Sequence, residues 1–278
     1  MNPIVYYIKQ TLHRYYPDSE ILSMAKLLLT QVFGMSVIEL YAGKDNCFSS
    51  NEQKQLEDIL LRLQKYEPIQ YIIGEEEFFG LPFEVNRHVL IPRPETGELV
   101  NWIIQENKDR QTRILDIGTG SGCIAISLAK HMEKAEVTAW DVSVDALQVA
   151  ARNCLRNGVE VKLEQKDVLR FEPSGEQFDV IVSNPPYITE KEKVEMEANV
   201  LEWEPDVALF VPDDSPLLFY RKIAELGMEM LAPDGKLYFE INRAYGKQTV
   251  DMLAELGYRE IELRKDISQN DRMVKAER

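Results

Sequence analysis

The tetrapeptide Asn184-Pro185-Pro186-Tyr187 holds the groups of this 278-residue chain that are best suited to chemistry. Each proline fixes its own φ angle, and Pro185 also restrains Asn184 to extended geometry. The side-chain carbonyl of Asn184 and the main-chain carbonyl of Pro185 can therefore accept both hydrogens of a planar NH₂ group, on which Tyr187 can stack. Held in line with an electrophile, an otherwise inert amide or nucleobase amine can then react without a side-chain base.

A glycine-rich turn upstream is a candidate site for the donor of the electrophile. Gly118-Thr119-Gly120-Ser121-Gly122 follows an apolar run that ends at Ile117, and glycines in such a turn let a ligand approach the main chain. The spacing is G-x-G-x-G, and Cys123 stands where a dinucleotide-binding turn has its third glycine. This spacing favours a nucleoside with an amino-acid tail and no pyrophosphate, such as S-adenosylmethionine with its sulfonium methyl group.

Two carboxylates follow the next two predicted strands. Asp141 ends one of them, about 20 residues after the glycine turn, where a carboxylate can accept both ribose hydroxyls. An acid before a helix is otherwise an N-terminal cap, a role for which Ser143 competes. Asp167 can lie near the adenine with Val168 packing on the ring, and an ordinary turn aspartate is the alternative.

The elements that must position these residues alternate in type along the chain. Apolar runs predict strands at Ile114–Leu115, Val137–Trp140, Val161–Leu163, Val180–Val182 and Leu237–Ile241, and helical spacing predicts helices near 122–131, 143–156, 216–230 and 245–256. This alternation is typical of an α/β fold with a parallel sheet covered by helices on both faces. Asn184 then lies beyond the carboxyl end of a strand, which favours a chemical role over the tight turn that Asn-Pro-Pro usually forms.

The N-terminal part of the chain is predicted to be a small helical bundle. Apolar residues recur at helical spacing in Ile21–Leu29 and again in Leu56–Leu63. Ser50 and Gln53 predict a capping box at the start of the second helix, and Pro68 is predicted to end it.

Three domains are expected from these patterns: a helical domain, a β-hairpin linker and a catalytic domain, at residues 1–70, 71–95 and 96–278. The hairpin prediction depends on glycines and prolines that punctuate aromatic and β-branched pieces such as Phe83-Glu84-Val85. The acidic segment 190–214 is interpreted as a mobile loop over the site.

Composition restricts the partners and the compartment. A net charge of −15 disfavours binding to free nucleic acid, because such binding depends on Lys and Arg neutralising phosphates. The cysteines Cys47, Cys123 and Cys154 lie far apart, with no histidine at ligand spacing, so reduced thiols and no metal site are expected. Neither a signal peptide nor an apolar run of membrane-spanning length is visible, which favours a cytoplasmic protein without a membrane anchor.

Several motifs are spread over nearly the whole chain: 68–74, Phe78-Phe79-Gly80-Leu81, Ile91-Pro92-Arg93-Pro94-Glu95-Thr96, 116–122, 184–187, Glu204-Pro205 with Ala208-Leu209, and Asp271-Arg272. By these motifs the chain resembles the protein glutamine methyltransferases of the PrmC/HemK family, which modify the Gly-Gly-Gln loop of class 1 peptide chain release factors. The glycine turn and the Asn-Pro-Pro-Tyr motif occur in many methyltransferases. The Arg-Pro-Glu-Thr segment is more specific to this family.

The resemblance implies a Rossmann-like class I S-adenosylmethionine-dependent methyltransferase sheet preceded by the helical domain. By the same resemblance Gly118–Gly122, Asp141, Val168 and Asn184 contact the cofactor, and Asn184–Tyr187 hold the glutamine. The family's N-terminal domain helps to bind the release factor, and we expect a monomer. Two departures from the family pattern are Gly97, where a second acid often follows the threonine, and Val168, where an aromatic residue is common.

Three alternatives remain open at this point. The same tetrapeptide suits a flipped adenine or guanine, although the acidic charge and the absence of a recognisable basic recognition domain oppose this. A glutamine methyltransferase for ribosomal protein is closely related. A non-catalytic cofactor-binding module that docks on translation factors belongs to another class, and the intact Asn184 and Tyr187 argue against it.

Overall fold

A computed structural model describes residues 2–42, 48–173 and 175–278. Cys47 lies outside the described residues. The helices are α1 Pro3–Leu12, α2 Asp18–Leu27, α3 Val37–Ala42, α4 Ser50–Leu63, α5 Ile69–Ile73, α6 Pro94–Asn107, α7 Cys123–His131, α8 Val144–Asn157, α9 Ala198–Leu201, α10 Asp206–Leu209, α11 Leu218–Met230 and α12 Gly246–Glu255. The strands are β1 Glu75–Phe78, β2 Leu81–Glu84, β3 Thr112–Ile117, β4 Ala135–Asp141, β5 Lys162–Gln165, β6 Phe178–Ser183, β7 Ile188–Thr189, β8 Phe210–Val211, β9 Leu231–Glu240, β10 Arg259–Lys265 and β11 Asp271–Glu277.

The chain divides into two compact units. The first comprises Met1–Gly74 with Glu197–Trp203, and the second comprises Glu75–Met196 with Glu204–Arg278. The β1–β2 hairpin therefore belongs to the second unit. None of the described helices is both long enough and apolar enough to cross a membrane.

The first unit is helical, as the spacing of its apolar residues predicts. Ile8, Leu12, Ile21 and Leu60 are fully or almost fully buried in one shared core, so α1, α2 and α4 each place an apolar stripe against the others. The Tyr16 hydroxyl donates to the Leu63 carbonyl at 2.6 Å, which ties the segment after α1 to the end of α4.

Two details of the predicted α4 are wrong. The capping box uses Ser49 and Glu52 instead of Ser50 and Gln53: the Glu52 N–H donates to Ser49 Oγ at 3.3 Å, and the Ser49 N–H donates to Glu52 Oε2 at 2.7 Å. A glutamate carboxylate accepts more strongly than an amide at a helix N-terminus, so the helix starts with this pair. The helix also ends at Leu63, and Pro68 is the N-cap of α5.

The second unit is built on a seven-stranded sheet with the order β10-β11-β9-β6-β3-β4-β5. The strands β9, β6, β3, β4 and β5 are parallel, as predicted. The near-continuous burial of β3, β4 and β6 fits a sheet that is covered on both faces, whereas the edge strand β5 is partly exposed. The β10–β11 hairpin is antiparallel, and β11 pairs antiparallel with β9. The sheet is therefore mixed and not wholly parallel, because a tight turn can join only antiparallel strands.

The strand register brings the ends of the central strands together. Ile117 of β3 pairs with Trp140 of β4 on one side and with Ser183 of β6 on the other. The chain leaves β3 for β4 and β5, and returns to the other side of β3 for β6, so β3 and β6 form the point at which the strand order reverses. Ligands of open α/β sheets bind at the carboxyl ends of strands at this point.

The predicted hairpin is confirmed, and one asparagine of α8 anchors it. In the hairpin Glu75 pairs with Glu84, and Phe78 pairs with Leu81. Asn153 is fully buried; its Oδ1 accepts from the Glu84 N–H at 2.6 Å, and its Nδ2 donates to the carbonyls of Glu84 at 3.0 Å and Ser121 at 2.9 Å. The hairpin and the glycine turn thus share one amide side chain.

The segment 190–214 has more structure than the predicted loop. It contains a 3₁₀ helix at Glu190–Glu195, the short helices α9 and α10, and β8, which pairs in parallel with β7. The segment is therefore not a loop throughout, and its mobility and its place over the site stay predictions.

Candidate active site

The carboxyl ends of β3, β4 and β6 surround a cavity of about 310 Å³ in the second unit. This volume lies at the lower end of the range of about 300–1,000 Å³ that is usual for small-molecule sites. Among the residues that line it are these predicted ones: Gly118, Thr119, Gly120, Ser121, Asp141, Asp167, Val168, Asn184, Pro185 and Pro186. Gly122 and Tyr187 lie outside the lining.

Backbone hydrogen bonds fix the glycine turn against the end of β4. The N–H groups of Gly118 and Thr119 both donate to the Trp140 carbonyl, at 2.8 and 2.9 Å, which fixes the turn against the end of β4. Gly118 and Gly120 have φ angles of +77° and +55°, and a Cβ on either would meet no atom within 4 Å. Since both glycines line the cavity, the space that their missing side chains leave can receive a ligand.

Gly122 has a different function from the other two glycines of the turn. Its φ angle is +82°, and a Cβ there would lie 2.8 Å from Cδ1 of Ile126 and 3.3 Å from Cβ of Ala150. This glycine therefore permits close packing between the start of α7 and α8 and contributes no wall to the cavity.

Asp141 fixes the turn from the end of β4. Its Oδ2 accepts from the Gly120 N–H at 2.8 Å, and its Oδ1 accepts from the Ser143 N–H at 2.9 Å. Ser143 is the N-cap of α8, where its Oγ accepts from the Ala146 N–H, so Asp141 does not cap that helix. Burial raises the pKa of Asp141, and the N–H donors from Ser143 and Gly120 oppose that rise.

Asp116 lies near the end of β3, just before the glycine turn, and is fully buried. Its Oδ2 accepts from the Thr119 hydroxyl at 2.6 Å, which braces the first half of the glycine turn. Burial raises the pKa of Asp116 to about 7, against the Thr119 hydrogen bond, and the nearby Asp141 adds to the rise.

Asp167 and Val168 reach the cavity, and Asp167 also forms a turn. Asp167 Oδ1 accepts from the Leu169 N–H at 3.0 Å, and the Asp167 carbonyl accepts from the Arg170 N–H at 3.1 Å. Val168 packs against the core cluster that contains the buried Trp140. Both of the roles considered for Asp167, turn residue and cavity wall, are therefore compatible with its position.

The Asn-Pro-Pro segment presents two open acceptors. Asn184 Nδ2 donates to Thr96 Oγ1 at 3.4 Å, so the amide turns its NH₂ group towards Thr96. Among the described residues no hydrogen bond ends on Asn184 Oδ1 or on the Pro185 carbonyl. The strand below is fixed by the Ser183 hydroxyl, which donates to the Ile117 carbonyl at 2.6 Å.

Glu240, which the sequence did not single out, connects two members of this site. Its Oε2 accepts from the Thr96 hydroxyl at 2.6 Å, and its Oε1 accepts from the Tyr187 hydroxyl at 3.2 Å. Burial raises the pKa of Glu240, and the Thr96 hydrogen bond and Arg272 oppose the rise. The only sequence signal was its place at the end of a predicted strand, next to the strand that precedes Asn184.

An ion pair between a partly exposed arginine and a buried glutamate joins two segments at the edge of the cavity. Arg93, the N-cap of α6, pairs with Glu204, whose side chain is 1% exposed and also accepts from the Ile91 N–H at 3.3 Å. Pro205, Val207 and Ala208, which follow Glu204, line the cavity. Loss of Arg93 would leave the buried Glu204 carboxylate without its cationic partner, so this pair helps to fix that wall.

The two departures from the family pattern lie in different places. Gly97 faces Phe79 and lines a second groove, not the cavity, and the neighbouring Glu98 accepts from the Ile267 N–H at 3.1 Å. That carboxylate is therefore engaged with the turn between β10 and β11. Val168 lines the cavity as a smaller side chain than an aromatic residue.

Cys123 and Cys154 are free thiols, and burial raises their pKa values to about 12 and about 11. No group of three or more His, Cys, Asp or Glu side chains suited to hold a metal is found within residues 2–42, 48–173 and 175–278.

Comparison with known proteins places the chain in a family. The PrmC N-terminal domain family matches residues 5–74, and the methyltransferase small domain family matches residues 98–202. A release factor glutamine methyltransferase of Bacteroides thetaiotaomicron is 52% identical over 100% of this chain and 100% of the relative. The chain belongs to the release factor glutamine methyltransferase family.

Further matches agree with this family. A release factor glutamine methyltransferase of Flavobacterium psychrophilum is 48% identical over 96% of this chain and 95% of its own length. Among solved structures, a methyltransferase from Pyrococcus furiosus is similar with a TM-score of 0.53 and 21% identity, over 82% of this chain and 98% of that one. At that identity the structural match supports the class I S-adenosylmethionine methyltransferase fold alone.

Proposed function

We propose that this protein transfers the methyl group of S-adenosylmethionine to the side-chain amide nitrogen of the glutamine in the Gly-Gly-Gln motif of class 1 peptide chain release factors. The other products are S-adenosylhomocysteine and the proton that the amide nitrogen loses. The observation that carries the proposal is the pair of open acceptors, Asn184 Oδ1 and the Pro185 carbonyl, beside a cavity floored by the glycine turn. The names of the full-length relatives support the choice of substrate.

The cavity suits the cofactor. Open space at Gly118 and Gly120 lets a ligand approach the main chain, and Asp141 offers carboxylate oxygens to a ribose at the end of β4. Val168 provides an apolar wall for the adenine, with Asp167 beside it. When bound, the cofactor supplies an electrophilic methyl group on a sulfonium.

The residues of the tetrapeptide hold the other reactant. Asn184 Oδ1 and the Pro185 carbonyl accept the two hydrogens of the glutamine amide, which positions its nitrogen and stabilises the positive charge that develops on it. Pro185 and Pro186 keep the segment stiff, so these acceptors need no reorganisation during the reaction. Tyr187 is proposed to stack on the planar amide, although its hydroxyl is directed to Glu240.

The first unit is proposed to bind the body of the release factor, since residues 5–74 match the PrmC N-terminal domain family. A monomer in the cytoplasm, where release factors act, completes the proposal. We expect no direct binding to nucleic acid, because the net charge is −15.

The deciding experiment measures methyl transfer from labelled cofactor by the purified, full-length protein. The substrates are a class 1 release factor, the same factor with its Gly-Gly-Gln glutamine replaced by alanine, purified ribosomal protein, and RNA and DNA. Label is expected on the intact release factor only. Label on nucleic acid or ribosomal protein alone would overturn the proposal, and binding of cofactor without any transfer would favour a docking module.

A further inference from the structure

Glu240 lies directly beside the proposed reaction site although it is remote in sequence. Ser183 of β6 pairs with Phe239 of β9, so Asn184, the first residue after β6, follows next to Glu240, the last residue of β9. Glu240 is 2% exposed, and burial of an ionised carboxylate is costly unless each of its oxygens is partnered.

The two oxygens of Glu240 serve two different partners. Oε2 accepts from the Thr96 hydroxyl, and Oε1 accepts from the Tyr187 hydroxyl. An ionised carboxylate cannot donate a hydrogen bond, so the single hydrogen of the Thr96 hydroxyl must point at Glu240. Only lone pairs of Thr96 Oγ1 are left for Asn184.

The direction of the Asn184 amide follows from this. Its Nδ2 can donate to Thr96 Oγ1, whereas a reversed amide would place Oδ1 against an oxygen that has no hydrogen left to offer. In the observed direction Oδ1 is the free end of the amide. A reversed amide would meet the NH₂ group of the substrate with its own NH₂ group, and the acceptor would be lost.

We propose that Glu240 is a positioning residue that sets the polarity of the Asn184 amide through Thr96 and holds Tyr187 with its second oxygen. This inference depends on the proposed function, because it assigns Asn184 Oδ1 to the substrate amide. Arg272 supports the ionised form of Glu240, and Glu95 and burial oppose it. Thr96 and Glu240 contact no reacting atom and act through Asn184.

The test compares Thr96→Val with Thr96→Ser in the release-factor assay. Valine keeps the shape of threonine but removes the acceptor, so we expect kcat to fall about tenfold or more, since loss of one preorganised group commonly costs a factor of about 10²–10³ when it contacts the reacting atoms directly. The Kd for the cofactor and the KM for the release factor are expected to stay within about twofold. Serine retains the hydroxyl and is expected to restore kcat to within about threefold of the original protein.

Two further variants sharpen the result. Glu240→Gln can donate to Thr96 Oγ1, which frees the Thr96 hydroxyl to donate to Asn184 Oδ1 and so reverses the amide. Its kcat should fall at least as far as that of Thr96→Val, and Asn184→Ala sets the maximum loss. Thr249→Val is the matched control, because Thr249 is fully buried and its hydroxyl donates to the Tyr245 carbonyl, within α12 and its N-cap and away from the cavity lining. It should leave kcat unchanged.

The outcomes separate this inference from the function itself. If the unaltered protein methylates the release factor but Thr96→Val retains its kcat, the positioning role is overturned and the function stands. Equal losses in Thr96→Val and Thr96→Ser, with a lowered Tm, would also overturn it in favour of a packing role. If the unaltered protein transfers no label to the factor, the proposed function fails first.

Discussion

The carboxylate of Asp141 accepts hydrogen bonds from the backbone around the glycine turn and is also the proposed acceptor for the ribose. Both of its oxygens already accept backbone N–H groups, from Gly120 and Ser143, and each carboxylate oxygen still has a lone pair for a ribose hydroxyl. The carboxylate therefore shapes the glycine turn and can at the same time accept from the proposed ligand. The Ser143 hydroxyl, two residues later, caps α8, while the Ser143 N–H is one of the two donors to Asp141.

Replacing Asp141 with alanine is expected to weaken the binding of S-adenosylmethionine by at least about tenfold, because a lost hydrogen bond to a charged group costs about 1.5–3 kcal/mol. The dissociation constant is measured by isothermal titration calorimetry. Ser143→Ala is the control: loss of the cap should lower the free energy of unfolding by about 1 kcal/mol and leave the cofactor affinity unchanged. Equal loss of affinity in both variants would mean that the start of α8, and not the carboxylate, matters for binding.

The site could be predicted from sequence where its members are local. The glycine turn and the Asn-Pro-Pro corner each lie within a few residues, so their types and spacing carry the signal. The link from Thr96 to Glu240 spans 144 positions, and it arises only because the sheet order places β9 beside β6. A threonine in the first turn of a helix and a glutamate at a strand end are individually unremarkable, which is why this link was missed.

At the scale of elements, the junction between β3 and α7 depends on how closely helices can pack. Gly122 is the N-cap of α7 in the left-handed region, and the space that a Cβ would need is taken by Ile126 and Ala150. Gly158, the C-cap of α8, has a similar φ of +63° with nothing within 4 Å of a Cβ. Comparing substitutions at these two glycines therefore separates the cost of backbone strain from the cost of steric crowding.

We expect Gly158→Ala to lower the free energy of unfolding by about 1–2 kcal/mol, the cost of a left-handed residue with a Cβ. Gly122→Ala should lower it by a further 1 kcal/mol or so, because it also overpacks the junction. Urea denaturation measures both. Adding Ile126→Val, which removes the Cδ1 atom, should cancel the extra cost in a double-mutant cycle. An additive cycle would show that Ile126 is not the source of the crowding.

Helices and strands whose apolar residues recur with a clear spacing were predicted well. Elements in which apolar and charged residues are mixed were not. The five parallel strands and their helices follow from apolar runs and helical spacing. Helix α6 was not predicted, although Pro94 at its first turn and the buried Leu99, Val100 and Ile103 give a helical pattern. The β10–β11 hairpin was missed because its strands carry many charged residues, and a sheet edge tolerates those more readily than its centre.

At the scale of the whole molecule, a chain with a net charge of −15 needs cations and hydrogen-bond donors beside those of its carboxylates that are partly or fully buried. Glu106 of α6 shows how: it accepts from Lys236 at 2.7 Å, Lys275 at 3.0 Å, Tyr238 at 2.9 Å and Trp102 at 2.7 Å. Burial alone would raise the pKa of Glu106, but these hydrogen bonds lower it to about 2. The carboxylate thus fastens α6 to β9 and β11.

The stability that Glu106 contributes should depend on pH. Since its folded pKa lies below the ordinary value of 4.5, the contribution is complete above about pH 4.5 and is lost as pH falls towards about 2. Glu106→Gln should therefore lower the free energy of unfolding by about 1–2 kcal/mol near neutral pH, after allowance for partial exposure. The difference from the unaltered protein should narrow in urea denaturation below about pH 4.5. The exposed Glu133→Gln is the control, and a gap that is constant with pH would contradict the prediction.

The shared amide of Asn153 has a consequence for how this unit can vary. Because one side chain grips the hairpin backbone at Glu84 and the Ser121 carbonyl of the glycine turn, neither can be shortened, shifted or exchanged with another protein without breaking the other's anchor. The hairpin carries no atom of the proposed chemistry, yet through Asn153 it supports the floor of the cavity that is proposed to hold the nucleoside.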